Sequence, residues 1–146
     1  MQGNPQNMQK NPTYSNVVAE VQEYLEKKVD ILERIGVCRS RLAVDPGFGF
    51  GKTFEHNIQL FKSLDSFRFL GIPLLVGLSR KSFLGDIVGR EVKERLQASV
   101  TAAVLAVKRG VNIVPCIFIE WRMNFEKNTT ILAFFLFFSS LNLILN

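Results

Sequence analysis

Helical and extended patterns alternate along residues 15–114, each helical stretch closing on a glycine and each short apolar run following it. Ser15 or Asn16 caps a first helix in which Val17, Val18, Val21, Leu25, Leu32 and Ile35 recur at largely helical spacing, and Gly36 stops it. Leu42 to Val44 then reads as a buried strand ending at Asp45. After a glycine-rich loop, Ile58, Phe61, Leu64, Phe67 or Phe69, and Leu70 describe a second amphipathic helix closed by Gly71. Pro73 opens a second strand, Leu74 to Val76. Glu91 to Arg109 is rich in helix formers and ends at Gly110, and Val111 to Val114 is a third strand. The order αβαβαβ with short apolar strands predicts an α/β fold, a parallel sheet with right-handed crossovers. Ligands of such sheets bind at the C-terminal strand ends, which points to the loops after Val44 and Val76.

A chain of 146 residues suits one domain with a real core, but a complete eight-stranded α/β barrel needs roughly 250. The 18 Lys and Arg against 13 Asp and Glu give a net charge of +5, which suits an anionic small ligand. No basic run or arginine-rich face stands out, so no nucleic-acid partner is expected. Cys38 and Cys116 are too few and too far apart for a disulfide framework or a zinc site, which fits a reducing cytoplasm. No basic segment followed by an apolar run opens the chain, so no signal peptide is expected.

Composition changes at Val114. The last 32 residues carry only Glu120, Arg122, Glu126 and Lys127 as charges, yet hold six of the 13 Phe. The 15-residue run from Ile131 to Leu145 is shorter than the ~18–20 apolar residues of a spanning helix and lacks a basic flank, so a membrane anchor is not favoured.

Two loops carry candidate chemistry. In Asp45-Pro46-Gly47-Phe48-Gly49-Phe50-Gly51-Lys52-Thr53, the Gly-Lys-Thr ending suggests a phosphate loop, but the required first glycine is Pro46. The dinucleotide fingerprint fails too, because Gly47, Gly49 and Gly51 are spaced G-x-G-x-G. What remains is a carboxylate at a strand tip, with glycines that let backbone approach a flat ligand. Asp45 then admits two readings: it accepts paired hydrogen bonds from an amidine-like N–H edge, or it caps its own turn. Phe48 and Phe50 are each core or ligand wall.

The second loop, Gly77-Leu78-Ser79-Arg80-Lys81-Ser82-Phe83-Leu84-Gly85, places two cations and hydroxyls just after a strand. It is either an anion site at a helix start, with Lys81 reaching a ring carbonyl and Arg80 a carboxylate or aromatic face, or a solvated basic turn capped by Ser82. No Ser-x-x-Lys or nucleophile elbow is present, and no protein nucleophile or general base is expected. His56, the single histidine, reads as a partly exposed capping residue.

Together DPGFGFGKT, LGIPLLVGLSRKSFLG and ERLQASVTAAVLAVKRGVNIV closely resemble the dihydropteroate synthase family, and GNPQNMQKNPTY resembles its segment after the fifth barrel strand. The resemblance implies part of a (β/α)₈ TIM barrel over residues 1–114, with 115–146 a divergent hydrophobic tail. It also implies the condensation of dihydropterin-methyl diphosphate with p-aminobenzoate to give dihydropteroate, a cytoplasmic folate-pathway transferase that uses Mg²⁺ and is often a homodimer. Position by position, Asp45 and Lys81 correspond to pterin-binding residues, Phe50, Ser79, Arg80 and Ser82 surround the p-aminobenzoate pocket, and Gly47, Gly49 and Gly51 shape the loop. No metal ligand of this chain is implied.

The chain departs from the family after Val114, where Pro115-Cys116-Ile117-Phe118 replaces the family's Arg-Val-His-Asp continuation. A reading-frame shift would produce such a change. The family's early strands are also unmatched, so the chain is expected to be inactive alone. The alternatives are a non-catalytic pterin-binding remnant or a membrane-associated pseudogene product.

Overall fold

The computed structural model describes residues 12–115. The first eleven residues, Cys116 and the rest of the apolar tail, with the expectations attached to them, lie outside these residues.

Four α-helices alternate with short extended segments: α1 is Val17–Arg34, α2 Phe54–Lys62, α3 Ser82–Val88 and α4 Leu96–Lys108. Asn16 caps α1 by accepting from the Ala19 N–H at 3.1 Å. Glu20 reaches back to the N–H groups of Ser15 and Asn16, satisfying donors that the helix itself cannot. The inward side of α1 is Val17, Val21 and Val29, with Leu25 packed at its edge. Ile35, expected inward, is 71% exposed, because the helix ends at Arg34 and the chain turns at Ile35 into Gly36 (φ +91°).

The second helical stretch divides. After α2 the chain tightens into a 3-10 segment, Leu64–Leu70, ended by Gly71 at φ +62°. Three residues per turn set Leu64, Phe67 and Leu70 on one line, and all three are buried. Phe69 falls outside that line and stays 56% exposed. The third stretch also starts later than the sequence suggests: Val92–Glu94 is a 3-10 turn, and α4 begins at Leu96. No side chain caps α4, and Arg95 at its start is turned back toward the preceding loop.

The extended segments meet in parallel. Val44 bridges to Leu74 and Leu75 to Ile113, so the segment around Leu74 lies between the other two. The register is fixed by Val44 N–H to Pro73 O (2.9 Å), Leu75 N–H to Val44 O (2.8 Å) and Val76 N–H to Ile113 O (2.9 Å). Asn112 adds a side-chain bond, its Oδ1 accepting from the Leu74 N–H. Along the middle segment Ile72, Leu74, Val76 and Leu78 are buried, while Leu75 and Gly77 between them are half-buried, the period-two signature of a strand with one covered face. In the first segment only Val44 is buried; Ala43, expected inside, is exposed. The covered face packs on Val17 and Val21, Leu60, Phe67, Phe83 and Ala106. Parallel pairing is thus present, but among the described residues it is limited to these two bridges rather than the continuous strands expected at Leu42–Val44, Leu74–Val76 and Val111–Val114, and both candidate loops leave it at the same end. No helix among the described residues is long and apolar enough to cross a membrane.

Candidate functional site

The first loop is a chain of tight turns held from inside. The Asp45 carboxylate accepts from the Gly47 N–H at 2.7 Å, and Gly47, Gly49 and Gly51 all take positive φ (+74°, +81°, +58°). A residue with a Cβ is strained at such angles, which accounts for the alternation of glycines. Asn57 of α2, buried, clamps the loop by accepting from the Gly49 N–H (2.8 Å) while donating to Thr53 O (2.7 Å). Thr53 and His56 form a reciprocal capping box at the start of α2: His56 N–H donates to Thr53 Oγ1, and Thr53 N–H to His56 Nδ1, both at 3.2 Å. His56 is thus the capping residue that its position suggests.

Lys52 closes the loop. Its ammonium donates to Gly47 O (2.8 Å) and Phe50 O (3.1 Å), lies 6.0 Å from the Tyr14 ring centre, and leaves the residue only 7% exposed. Burial pushes its pKa down from 10.5 to about 8, Lys81 adds to the fall, and Asp45 opposes it. Sequence spacing does not single out Lys52 once the phosphate-loop pattern fails. The signal that could find it is chemical: a lysine beside three positive-φ glycines is the natural donor for the carbonyls they turn inward.

Asp45 itself is open to solvent on one side and crowded by protein on the other. Desolvation raises its pKa, while the Gly47 N–H, Lys81 and Lys52 pull it back. Both sequence readings of Asp45 therefore hold in part: Oδ1 caps the turn, and a carboxylate has further acceptor positions for a ligand.

The second loop brings Lys81 across to the first. Its ammonium sits 4.3 Å from the centre of the Phe50 ring, and a Cβ added to Gly49 would lie 3.4 Å from Lys81 Cδ. Desolvation lowers the Lys81 pKa, with Asp45 opposing. Phe50 is 45% exposed and, unlike Lys81, lines a cleft of about 510 Å³ together with Tyr14, Tyr24, Asp45, Gly47 and Lys52, among others. Phe48 is core, stacked on Phe83 at 5.8 Å.

Ser79, Arg80 and Ser82 are not among the residues lining the cleft. Lys81, not Ser82, occupies the cap position of α3; Ser82 is its first helical residue and is exposed. Ser79 Oγ is buried with no hydrogen-bond partner among the described residues. Arg80 takes φ +53° and donates its N–H to Ser99 Oγ at 2.9 Å. No group of three His, Cys, Asp or Glu that could hold a metal ion lies together among the described residues.

A family described as pterin binding enzyme matches residues 1–115. Dihydropteroate synthase of Escherichia coli strain K12 is 43% identical over 114 residues, which cover 78% of this chain and 40% of that protein. Among solved structures, dihydropteroate synthase from Stenotrophomonas maltophilia, with imidazole in its active site, matches at a TM-score of 0.77 and 46% identity, over 80% of this chain and 44% of that one. The Xanthomonas albilineans enzyme in complex with 7,8-dihydropteroate matches at a TM-score of 0.71 and 42% identity, over 72% of this chain and 40% of that one. The chain thus spans about 40% of the length of the curated relative.

Proposed function

The chain belongs to the pterin binding enzyme family, and from that premise we propose that residues 1–114 are the C-terminal part of a (β/α)₈ barrel of the dihydropteroate synthase kind. The reaction is the condensation of 6-hydroxymethyl-7,8-dihydropterin diphosphate with p-aminobenzoate, forming the C–N bond of 7,8-dihydropteroate and releasing diphosphate. A cytoplasmic setting goes with this reading, as does homodimer formation by the full-length protein.

The observation that carries it is the convergence of Asp45, Phe50 and Lys81 across two loops far apart in sequence. Asp45 accepts from the N–H edge of the pterin, and Lys81 donates to its carbonyl side. Phe50 and the second loop with Ser79, Arg80 and Ser82 form the p-aminobenzoate side. The reacting carbon is the pterin methylene: its C–O bond breaks early as diphosphate leaves, and the arylamine nitrogen attacks the cationic carbon and releases one proton to water, so no protein nucleophile is needed. The chain's contribution is orientation and charge complementarity at fixed donors and acceptors. Mg²⁺, on this reading, arrives with the diphosphate and is not held by the described residues.

Calorimetry with a pterin tests the assignment. Asp45→Asn should weaken binding by about 2–3 kcal/mol, because a charged acceptor of paired N–H bonds is lost. Affinity of the wild type should also fall on acidification, starting above the ordinary aspartate range because desolvation raises the Asp45 pKa. Equal affinity of the two proteins for pterin at neutral pH would remove Asp45 from the site. A chain that binds pterin but does not turn over even when an N-terminal segment of a related enzyme is co-expressed with it is the non-catalytic alternative, and a dihydropteroate assay on that pair separates the two.

A further inference from the structure

Arg80 is the single non-glycine residue at positive φ among the described residues, a backbone state that an L residue keeps only when its surroundings hold it there. Both of its backbone polar groups are held by side chains from elsewhere. Its N–H donates to Ser99 Oγ of α4 (2.9 Å), and its carbonyl accepts from Arg95 Nη1 (3.3 Å). The two partners are themselves braced: Ser99 Oγ donates to Arg95 O (2.7 Å), and Arg95 Nε donates to Arg90 O (2.9 Å). Room for the guanidinium comes from α3, where a Cβ on Gly85 would overlap Arg95. Ser99 is buried, and neither residue lines the cleft.

We propose that Ser99 and Arg95 are positioning residues: they clamp Arg80 in the left-handed conformation, and that turn carries Lys81 over Phe50 and against the glycine loop. Relaxing Arg80 to ordinary φ would redirect the chain one residue before Lys81 and withdraw its ammonium from Phe50. The identity of the ligand rests on the function proposed above; the clamp itself does not.

Three variants separate the clamp from plain stability. Ser99→Ala removes the hydroxyl, and Arg95→Lys keeps the charge but loses the fork. Gly85→Ala displaces the guanidinium by steric overlap while leaving Arg95 itself unsubstituted; the obstructing atoms are the tip of a flexible side chain and α3 gains a better helix former, so this variant should stay folded. Each is made alone and in an Arg80→Gly background, where positive φ needs no support. Each single variant should weaken binding of 6-hydroxymethylpterin about tenfold. Ser99→Ala should lower the urea midpoint less in the Arg80→Gly background than in the parent. Equal midpoint losses in both backgrounds would overturn the clamp, leaving Ser99 as a partner for the Arg95 carbonyl only. If the parent chain binds no pterin, the functional reading fails, yet the midpoint cycle still decides the clamp.

Discussion

At the residue scale, Lys52 is the buried charge whose behaviour is most open to measurement. Its pKa falls to about 8 in the folded chain, whereas an unfolded chain returns it to about 10.5. Between those values the unfolded state binds the extra proton, so this group makes stability rise with pH across the window and oppose folding below it. The rise is at most about 3 kcal/mol, since a tenfold change in proton affinity is worth ~1.4 kcal/mol. Urea unfolding at pH 8 and pH 10 should show most of that increment in the wild type and lose it in Lys52→Met; parallel pH slopes would mean the ammonium is better solvated than its surroundings suggest. Legibility at this scale divides by how local the cause is. Asp45 is readable because a carboxylate at a strand tip before Pro-Gly has few local roles. The roles of Lys52, Ser99 and Arg95 are not, because each acts on a carbonyl or N–H whose direction is set only when glycines, or Arg80, take positive φ.

At the element scale, α2 and the 3-10 segment after it decide how the glycine loop is held. Asn57 spans loop and helix with two bonds from a buried amide. Asn57→Ala should therefore cost about 1–3 kcal/mol by removing the amide's bonds to the Gly49 N–H and to Thr53 O, which keeps, among the described residues, only the bond from the residue-57 backbone N–H, and pterin affinity should fall with it. Thr53→Ala, which breaks the capping box and the side-chain bond between Thr53 and the Glu55 carboxylate, should cost about 1 kcal/mol. Unchanged denaturation midpoints for both would show that water replaces these bonds freely. The 3-10 segment supplies a paired test: Phe67→Ala should cost about 3–5 kcal/mol, and Phe69→Ala no more than about 0.5. A 3.6-residue repeat continued through this stretch leaves those two phenylalanines undecided. The tighter 3.0-residue repeat after Lys62 selects Phe67. Helix existence is legible from the spacing of Val17, Val21 and Leu25 and from glycine stops. The late start of α4 is not, since it follows from Arg95 reaching back to Arg90 and Arg80.

At the scale of the whole molecule, the described sheet is satisfied only internally. Val44 pairs with the middle segment alone, and neither Ala43 nor Asp45 enters a backbone–backbone hydrogen bond among the described residues. Among the described residues the segment at Ile113 likewise pairs only toward Leu74 and Val76. One face is covered by helices, and the other, with Leu75, Gly77 and Ile113, is half-open. Open parallel edges beside an apolar face favour aggregation, and a barrel removes both by closing. The candidate site shares this openness on one side: Asp45 stands on the uncovered side of its segment and is exposed there, while its own surroundings desolvate the carboxylate from the other. The alternation of patterns makes the parallel sheet readable, but closure is a property of more strands than these three. The expected outcome is that the chain alone is poorly soluble and does not form dihydropteroate. Co-expression with the N-terminal segment of a related dihydropteroate synthase, supplying the length that the match leaves uncovered, should raise soluble yield and restore some turnover. An Asp45→Asn chain in the same co-expression should recover solubility without turnover, because its edges still pair while its carboxylate is gone. Robust turnover by the chain alone would mean that its sheet closes by another route, for instance against a second copy, and a concentration-dependent rate would identify that route.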